Sequence, residues 1–393
     1  MGIILHCDMN NYFVSVELVD KPQLSALPVA VCGDPAQRHG IVLAKNYEAK
    51  KFGVVTGESI FEAKKKCSSL VVIKPDYHKY LKYTKQARDI FSRYTDKIYP
   101  YGMDEAWLDL GHIPLDKGVE TADELRSVIK DELKITASVG VSFNYVFSKL
   151  ASDMKKPDAT TVLPRDQLEN TIWKRPAFEM LFVGAATRRA LRKMGVLTIG
   201  DIAAADPNRL EKILGKKGRM LWEFSNGNDS GFNPCTNNES DIKSLGNTIT
   251  PPKDITDKND IAAFIYVLCQ TVERRLNKHN FLAGGVSIVI RSDDFSQLTR
   301  SVKLPTPTNN PDLIFYYAYN LFSSNYTWDK NVRSIGVKAE RISSANIVQT
   351  LLFPEELPDN GNIKQILDTV KEKYGNFCHE ITATSKDIEI LPN

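Results

Sequence analysis

The 393-residue chain contains no apolar run approaching the roughly 18 residues that a membrane helix needs. Its start, MGIILHCDMN, has no basic flank and meets a charge at Asp8, which argues against a signal peptide and for a buried strand. Cysteine is sparse. The six are scattered, with no CxxC pair, so neither a zinc site nor a disulfide framework is expected, and a reducing cytoplasm is. No sign of charge dominates: the net value is +3, so any surface for a polyanion must be local. There is no internal repeat and no low-complexity block. What remains is ample apolar material, 42% of the chain, enough for a large core and two or more domains.

Periodicity predicts short strands at 3–7, 29–32 and 40–44, and helices at 11–19, 46–52, 59–67 and 77–94. A hairpin follows around Asp104, then a helix over 122–133, a strand over 136–142 and a helix over 144–153. Residues 166–233 read as short helices only, with basic clusters in TRRALRKMG and LGKKGRM. The polar stretch SNGNDSGFNPCTNNES reads as linker. Residues 244–341 read as strand, helix, two strands, helix, strand, with basic residues outnumbering acids. The remainder forms a tail with a helical stretch at 363–374.

In YGMDEAWLDL, Asp104 and Glu105 are adjacent between two strand-like runs. Neighbouring carboxylates in an apolar hairpin repel each other and resist burial. Two readings fit. The pair caps a tight turn, or cations resolve the repulsion together with Asp8 at the end of the first strand. Hard oxygen ligands suit Mg2+, and such a set suits two-metal phosphoryl transfer. Lys50 and Lys51, and Lys149, Lys155 and Lys156, are either phosphate-binding point charges or solvated faces.

The motifs LHCDMNNYFVSVE, NYEAKKFGV, YGMDEAWLDL and FSKLASDMKKP, in that order, closely resemble the Y-family translesion DNA polymerases, most like their bacterial DNA polymerase IV branch. The resemblance covers residues 1–345. It implies an α+β, multi-domain right-hand polymerase: palm at 1–10 and 76–165, fingers at 11–75, a helical thumb at 166–235, a linker at 236–243, and a β-α-β-β-α-β little finger at 244–345. A tail follows at 346–393. It implies Asp8, Asp104, Glu105 and the Met9 carbonyl as ligands of two Mg2+ ions, with Mn2+ as a substitute, and Glu105 nearest the primer 3′ hydroxyl. Tyr12, Phe13, Tyr47, Lys50 and Lys156 become nucleotide contacts, with Phe13 the steric gate against a 2′ hydroxyl. Arg188, Arg189, Lys216, Lys217, Arg300 and Lys303 become candidate DNA contacts. VQTLLF resembles a sliding-clamp docking motif, with Gln349, Leu352 and Phe353 as anchors.

The activity implied is template-directed, error-prone extension of a primer past damaged bases by a cytoplasmic monomer. Its partners are primer-template DNA, deoxynucleoside triphosphates and, through VQTLLF, the clamp. No 3′–5′ exonuclease motif set is present, so no proofreading is expected. A polymerase-shaped binding protein is the alternative, motivated by departures from the family pattern: Lys50 for arginine, Gly102 for serine, and Phe182 and Ala185 for glycine and lysine. A phosphatase nucleophile loop at Asp8 would need a second aspartate where Asn10 stands.

Overall fold

The computed structural model describes residues 2–35, 40–229, 232, 234 and 242–345, with single positions at 365, 366 and 369. The tail motif with Gln349, Leu352 and Phe353, and most of the 236–243 linker, lie outside the described residues. The chain forms two compact units: among the described residues, 2–33 and 41–234 belong to the first, and 34, 35, 40 and those from 242 on to the second.

The first unit runs β1 (Ile4–Met9), α1 (Tyr12–Val19), β2 (Val29–Cys32), β3 (Val42–Lys45), α2 (Tyr47–Lys51), α3 (Ile60–Lys66), β4 (Val71–Ile73), α4 (Tyr77–Phe91), β5 (Ile98–Pro100) and β6 (Glu105–Asp109). It continues through α5 (Leu115–Leu133), β7 (Ala137–Ser142), α6 (Tyr145–Met154) and β8 (Thr160–Leu163) to α7 (Ala185–Lys193), α8 (Ile199–Ala204), α9 (Pro207–Leu214) and α10 (Lys216–Ser225).

A five-stranded sheet in the order β5-β6-β1-β7-β8 holds β1 at its centre, antiparallel to both neighbours. A strand covered on both faces reads as a near-continuous apolar run, which is why ILHCDM carries so few polar residues. Tyr80, Ile90 and Phe91 of α4 and Leu125 and Ile129 of α5 pack on one face. On the other, α6 approaches so closely that a Cβ on Gly140 of β7 would lie 2.0 Å from the Ser148 carbonyl oxygen. Only glycine permits that approach, and it is what brings α6 down over the end of β1.

Three differences from the sequence expectation have simple causes. The strands β4 and β8 are too short to show a period, and each is held by parallel pairing, to β2 and β7 respectively. Helix α5 begins at Leu115 rather than 122, because its first turns, LDKGVET, carry little apolar signal. The stretch expected as linker is docked at its start. Asp229 accepts a hydrogen bond from the Tyr145 amide at 2.8 Å, and the Phe232 ring packs on Trp107, Tyr145, Phe182 and Phe224.

A smaller sheet, β3-β2-β4, carries α2 and α3. Asn46 caps α2 through the Ala49 amide at 2.9 Å, and also binds the Val29 amide and the Leu27 carbonyl. These bonds fix the first turn of α2 to the sheet, and Tyr47 and Lys50 with it.

The second unit runs β9 (Ser244–Ile249), α11 (Lys258–Lys278), β10 (Phe281–Ser292), β11 (Gln297–Thr308), α12 (Pro311–Asn325) and β12 (Val332–Ser344). The expected β-α-β-β-α-β order is present. The sheet order is β11-β10-β12-β9, and a core including Leu268, Val272, Phe315 and Phe322 joins the helices to Val286, Ile288 and Ile335. Among the described residues, no helix is long and apolar enough to cross a membrane.

Candidate active site

Antiparallel pairing of β1 with β6 places Asp8 directly opposite Glu105, and the Met9 amide donates to the Asp104 carbonyl at 2.9 Å. Asp8 and the distant pair Asp104 and Glu105 therefore share one corner of the sheet. Lys149 ties two of them together: its ammonium lies 3.2 Å from Asp8 Oδ2 and 2.7 Å from Glu105 Oε2. Lys156 reaches Asp8 Oδ1 at 2.8 Å, and both lysines also contact Asp153. Asp104 has no lysine or arginine partner among the described residues. Burial first, and then the charge of Asp8, pushes its carboxyl up to about 6. Burial likewise holds Glu105 above the usual carboxylate range, with Lys149 opposing it. Burial would lower Lys149, but Glu105, Asp8 and Asp153 outweigh it and hold the ammonium firmly charged.

Among the described residues, no three acids, imidazoles or thiols stand close enough together to hold a metal ion by themselves. The arrangement is instead an open set of oxygens, in excess over its two lysines, of the kind Mg2+ uses when substrate phosphates complete its shell. Gly102 sits against it. A Cβ there would lie 3.3 Å from Asp104 Oδ1 and 3.6 Å from Glu105 Oε1, so a serine hydroxyl at this position would stand among the carboxylates.

Two parts of this corner go beyond the residues assigned from sequence. Lys149 is the bridging cation, a role set by α6 lying over β1. His6, fully buried two pairs along from Asp8, bonds Ser152 Oγ through Nδ1 at 2.8 Å and faces Glu105 Oε2 with Nε2 at 3.5 Å. Burial, then Lys149 and Lys156, keeps its imidazole neutral. The only sequence signal for His6 was a polar residue inside an apolar strand.

Asn10 explains its own departure from the family pattern. Its amide donates to Ser138 Oγ at 3.0 Å, and its oxygen accepts from Thr136 Oγ1 at 3.0 Å and the Asp158 amide at 2.9 Å. An amide both donates and accepts, which a carboxylate cannot do. Asp158 is in turn held by Arg126 and Lys130, so this network fixes the loop that carries Lys156. Asn10→Ala is expected to cost about 2 kcal/mol, because buried partners are left unpaired. Nucleotide affinity should fall alongside, read from denaturant unfolding and a nucleotide titration; an unchanged Kd for nucleotide would separate the loop from Lys156.

Phe13 lies flat on the buried Tyr80 ring, centroids 4.3 Å apart and planes 12° apart, with Tyr77 at its edge. Tyr12 lies beside it, ring centroids 5.8 Å apart, but deeper in the core. It is 3% exposed, and its hydroxyl donates to the Tyr80 carbonyl at 2.6 Å and lies 2.8 Å from Thr84 Oγ1. The Tyr12 side chain is core, which leaves its backbone for a ligand. Lys50 stands 5.7 Å from the Tyr47 ring centroid. Burial raises the Tyr47 hydroxyl, with Lys156 opposing and Asp8 adding, so α2 lies within electrostatic reach of the acidic corner.

The basic candidates fall in separate places. Arg188 and Arg189 lie on α7, where the Arg188 guanidinium stacks 4.2 Å from the Phe178 ring centroid. Lys216 and Lys217 open α10. In the second unit, Arg300 and Lys303 have opposite parity on β11 and face opposite sides of the sheet. Arg300 lies on the helix side and donates to Asn325 at 3.1 Å. Phe182 keeps the left-handed backbone of a glycine, at φ 68°, a conformation that costs a side chain about 1–2 kcal/mol. Its ring packs on Phe224 and Phe232, which offsets that strain. Ala185, the first residue of α7, supplies no cation there.

Residues 7–153 match the model of the impB/mucB/samB family, and residues 242–352 match that family's C-terminal domain. The chain is 42% identical over 382 residues to DNA polymerase IV of Acetivibrio thermocellus, covering 95% of each protein. It is 34% identical over 394 residues to DNA polymerase IV 1 of Bacillus subtilis, covering 98% of this chain and 94% of that protein. Among solved structures, a Y-family DNA polymerase chimera of Dbh and Dpo4 superposes with a TM-score of 0.77 at 26% identity, over 87% of this chain and 99% of that one. An insertion ternary complex of Dbh DNA polymerase gives 0.62 at 25% identity, with the same coverage of each chain.

Proposed function

Since this chain belongs to the impB/mucB/samB family, on the DNA polymerase IV branch of the Y-family, and is thus a DNA-directed DNA polymerase, we propose that it extends primers by two-metal nucleotidyl transfer, error-prone and without proofreading. The observation that carries the reading is the meeting of Asp8 and Glu105 on one ammonium, opposite each other across β1 and β6, with Asp104 unneutralised beside them. Asp8, Asp104, Glu105 and the Met9 carbonyl would hold two Mg2+ ions, or Mn2+. When bound, those ions neutralise charge on the attacking and leaving oxygens.

The chain's own residues do the rest. Lys156, Lys50 and Tyr47 bind the triphosphate, and the Phe13 ring excludes a ribose 2′ hydroxyl. Glu105 lies nearest the primer 3′ oxygen, which attacks the α-phosphorus while pyrophosphate leaves. Holding the reactants in this geometry supplies much of the rate.

The proposed palm is residues 1–10 and 76–165, the fingers 11–75, the thumb 166–235, the linker 236–243 and the little finger 244–345. Arg188, Arg189, Lys216, Lys217, Arg300 and Lys303 would follow the DNA backbone without reading sequence, so binding should weaken steeply with salt. Clamp docking through Gln349, Leu352 and Phe353, a monomeric state and a cytoplasmic location complete the reading.

The test is primer extension by the full chain on undamaged and abasic templates. Extension on both is expected, dependent on Mg2+ or Mn2+ and with frequent errors. Tight DNA binding without nucleotide incorporation would leave only a binding protein, and stalling at the abasic site would remove the translesion role.

A further inference from the structure

The acidic corner has two unlike sides. On the Asp8 side stand Lys156 and Asp153, with Tyr47 in electrostatic reach, and Lys149 bridges the middle. On the Glu105 side stands the end of β5, the edge strand of the sheet among the described residues. The Tyr101 amide donates to the Glu105 carbonyl at 3.1 Å, which continues the Pro100–Ala106 register by one pair. Tyr101 is therefore directly across from Glu105, on the same face as the acids. A single cross-strand row runs Tyr101, Glu105, Asp8 and Ser138.

Tyr101 is 42% exposed, yet it is not loose. Its ring packs 4.9 Å from that of Trp107, which is buried and donates its indole N–H to the Tyr145 carbonyl at 2.9 Å. Burial raises the Tyr101 hydroxyl, Glu105 adds to the rise and Lys149 opposes it. An exposed aromatic braced on a fixed indole is a platform, and among the described residues Trp107 is the ring it packs on.

In-line phosphoryl transfer puts the attacking and leaving oxygens on opposite sides of the phosphorus. Lys156, with Tyr47 in reach, marks the side of the leaving pyrophosphate, so the primer must end on the other side, by Glu105. We propose that the Tyr101 ring packs against the terminal nucleotide of the primer and positions its 3′ hydroxyl at Glu105. The ligand class is a deoxynucleotide at a 3′ end of any sequence, because an aromatic face stacks on every base and sugar. Tyr101 is thus a primer-positioning residue, and its assignment rests on the reading of Glu105 given above.

The experiment is single-nucleotide incorporation by the full chain, with a parallel measurement on primers ending in 2-aminopurine. Tyr101→Ala is expected to slow incorporation at saturating nucleotide by about tenfold or more, with the Kd for nucleotide unchanged. Tyr101→Phe should retain the parent rate, and the terminal 2-aminopurine should be brighter in the Tyr101→Ala complex than in the parent's. Tyr101→Leu, of similar bulk without a π face, should match Tyr101→Ala and guards against a folding defect in the smaller variant. A Tyr101→Ala enzyme at the parent rate overturns the proposal. So does a Tyr101→Phe enzyme as slow as Tyr101→Ala, or an unchanged 2-aminopurine signal. Asp104→Asn is run alongside. If it too extends at the parent rate, the assignment of the acids has failed; if it is inactive while Tyr101→Ala is normal, only the platform has.

Discussion

Asp104→Asn should abolish primer extension, by about a thousandfold or more, while making the protein more stable at neutral pH. Both effects come from one carboxylate. It is half-buried, lies against the charge of Asp8 and forms no ion pair with a lysine or arginine among the described residues, and its carboxyl is pushed from 3.8 to about 6. Between those values the folded state binds more protons than the unfolded state, so stability falls as pH rises through that window. The penalty is complete above pH 6 and absent below 3.8, and at most about 3 kcal/mol. The neutral amide removes it. In EDTA at pH 7.5 the variant should melt about 2 °C or more above the parent, and the difference should close near pH 4. Equal melting temperatures at pH 7.5 would mean that the corner is not electrostatically strained. A variant that still extends primers would remove the acid from the chemistry.

Phe13→Ala is expected to relax sugar selection, raising ribonucleotide incorporation relative to deoxynucleotide by about a hundredfold. A gate must be rigid as well as large. Here the ring is stacked on Tyr80, itself fully buried, with Tyr77 at its edge, so it cannot swing aside to admit a 2′ hydroxyl without breaking those contacts. The ratio of kcat/KM for the two nucleotides measures the effect. Phe13→Tyr, which keeps the ring, should stay near the parent ratio. An unchanged ratio in Phe13→Ala would place the discrimination elsewhere.

The adjacency of Phe13 and Tyr12 shows where the sequence stops being sufficient. Both are aromatic, both open the same helix, and both were assigned to the nucleotide. Nothing in NNYFVSVE separates them. The difference arises from α4, whose Tyr80 carbonyl and Thr84 hydroxyl consume the Tyr12 hydroxyl and leave Phe13 stacked on the Tyr80 ring. The start of the polar stretch at 225–240 makes the same point. Its composition is polar, but the helix-capping contact of Asp229 and the ring of Phe232 dock its start onto the first unit. Gly102 and Phe182, read as weakened points, are accommodated: the first leaves space beside the acids, and the second keeps its turn through aromatic packing.

Residue order alone determined which groups could do chemistry, where most strands and helices lie, and the β-α-β-β-α-β order of the second unit. Those features are written in side-chain type and in local period, which act over a few residues. Only the folded chain decided that Lys149 bridges Asp8 and Glu105, that His6 backs them, and that Tyr101 stands across from Glu105. Each of those depends on strand register, or on how near a helix can approach a sheet at Gly140. Such distances are set by packing between segments far apart in sequence, and no local pattern encodes them.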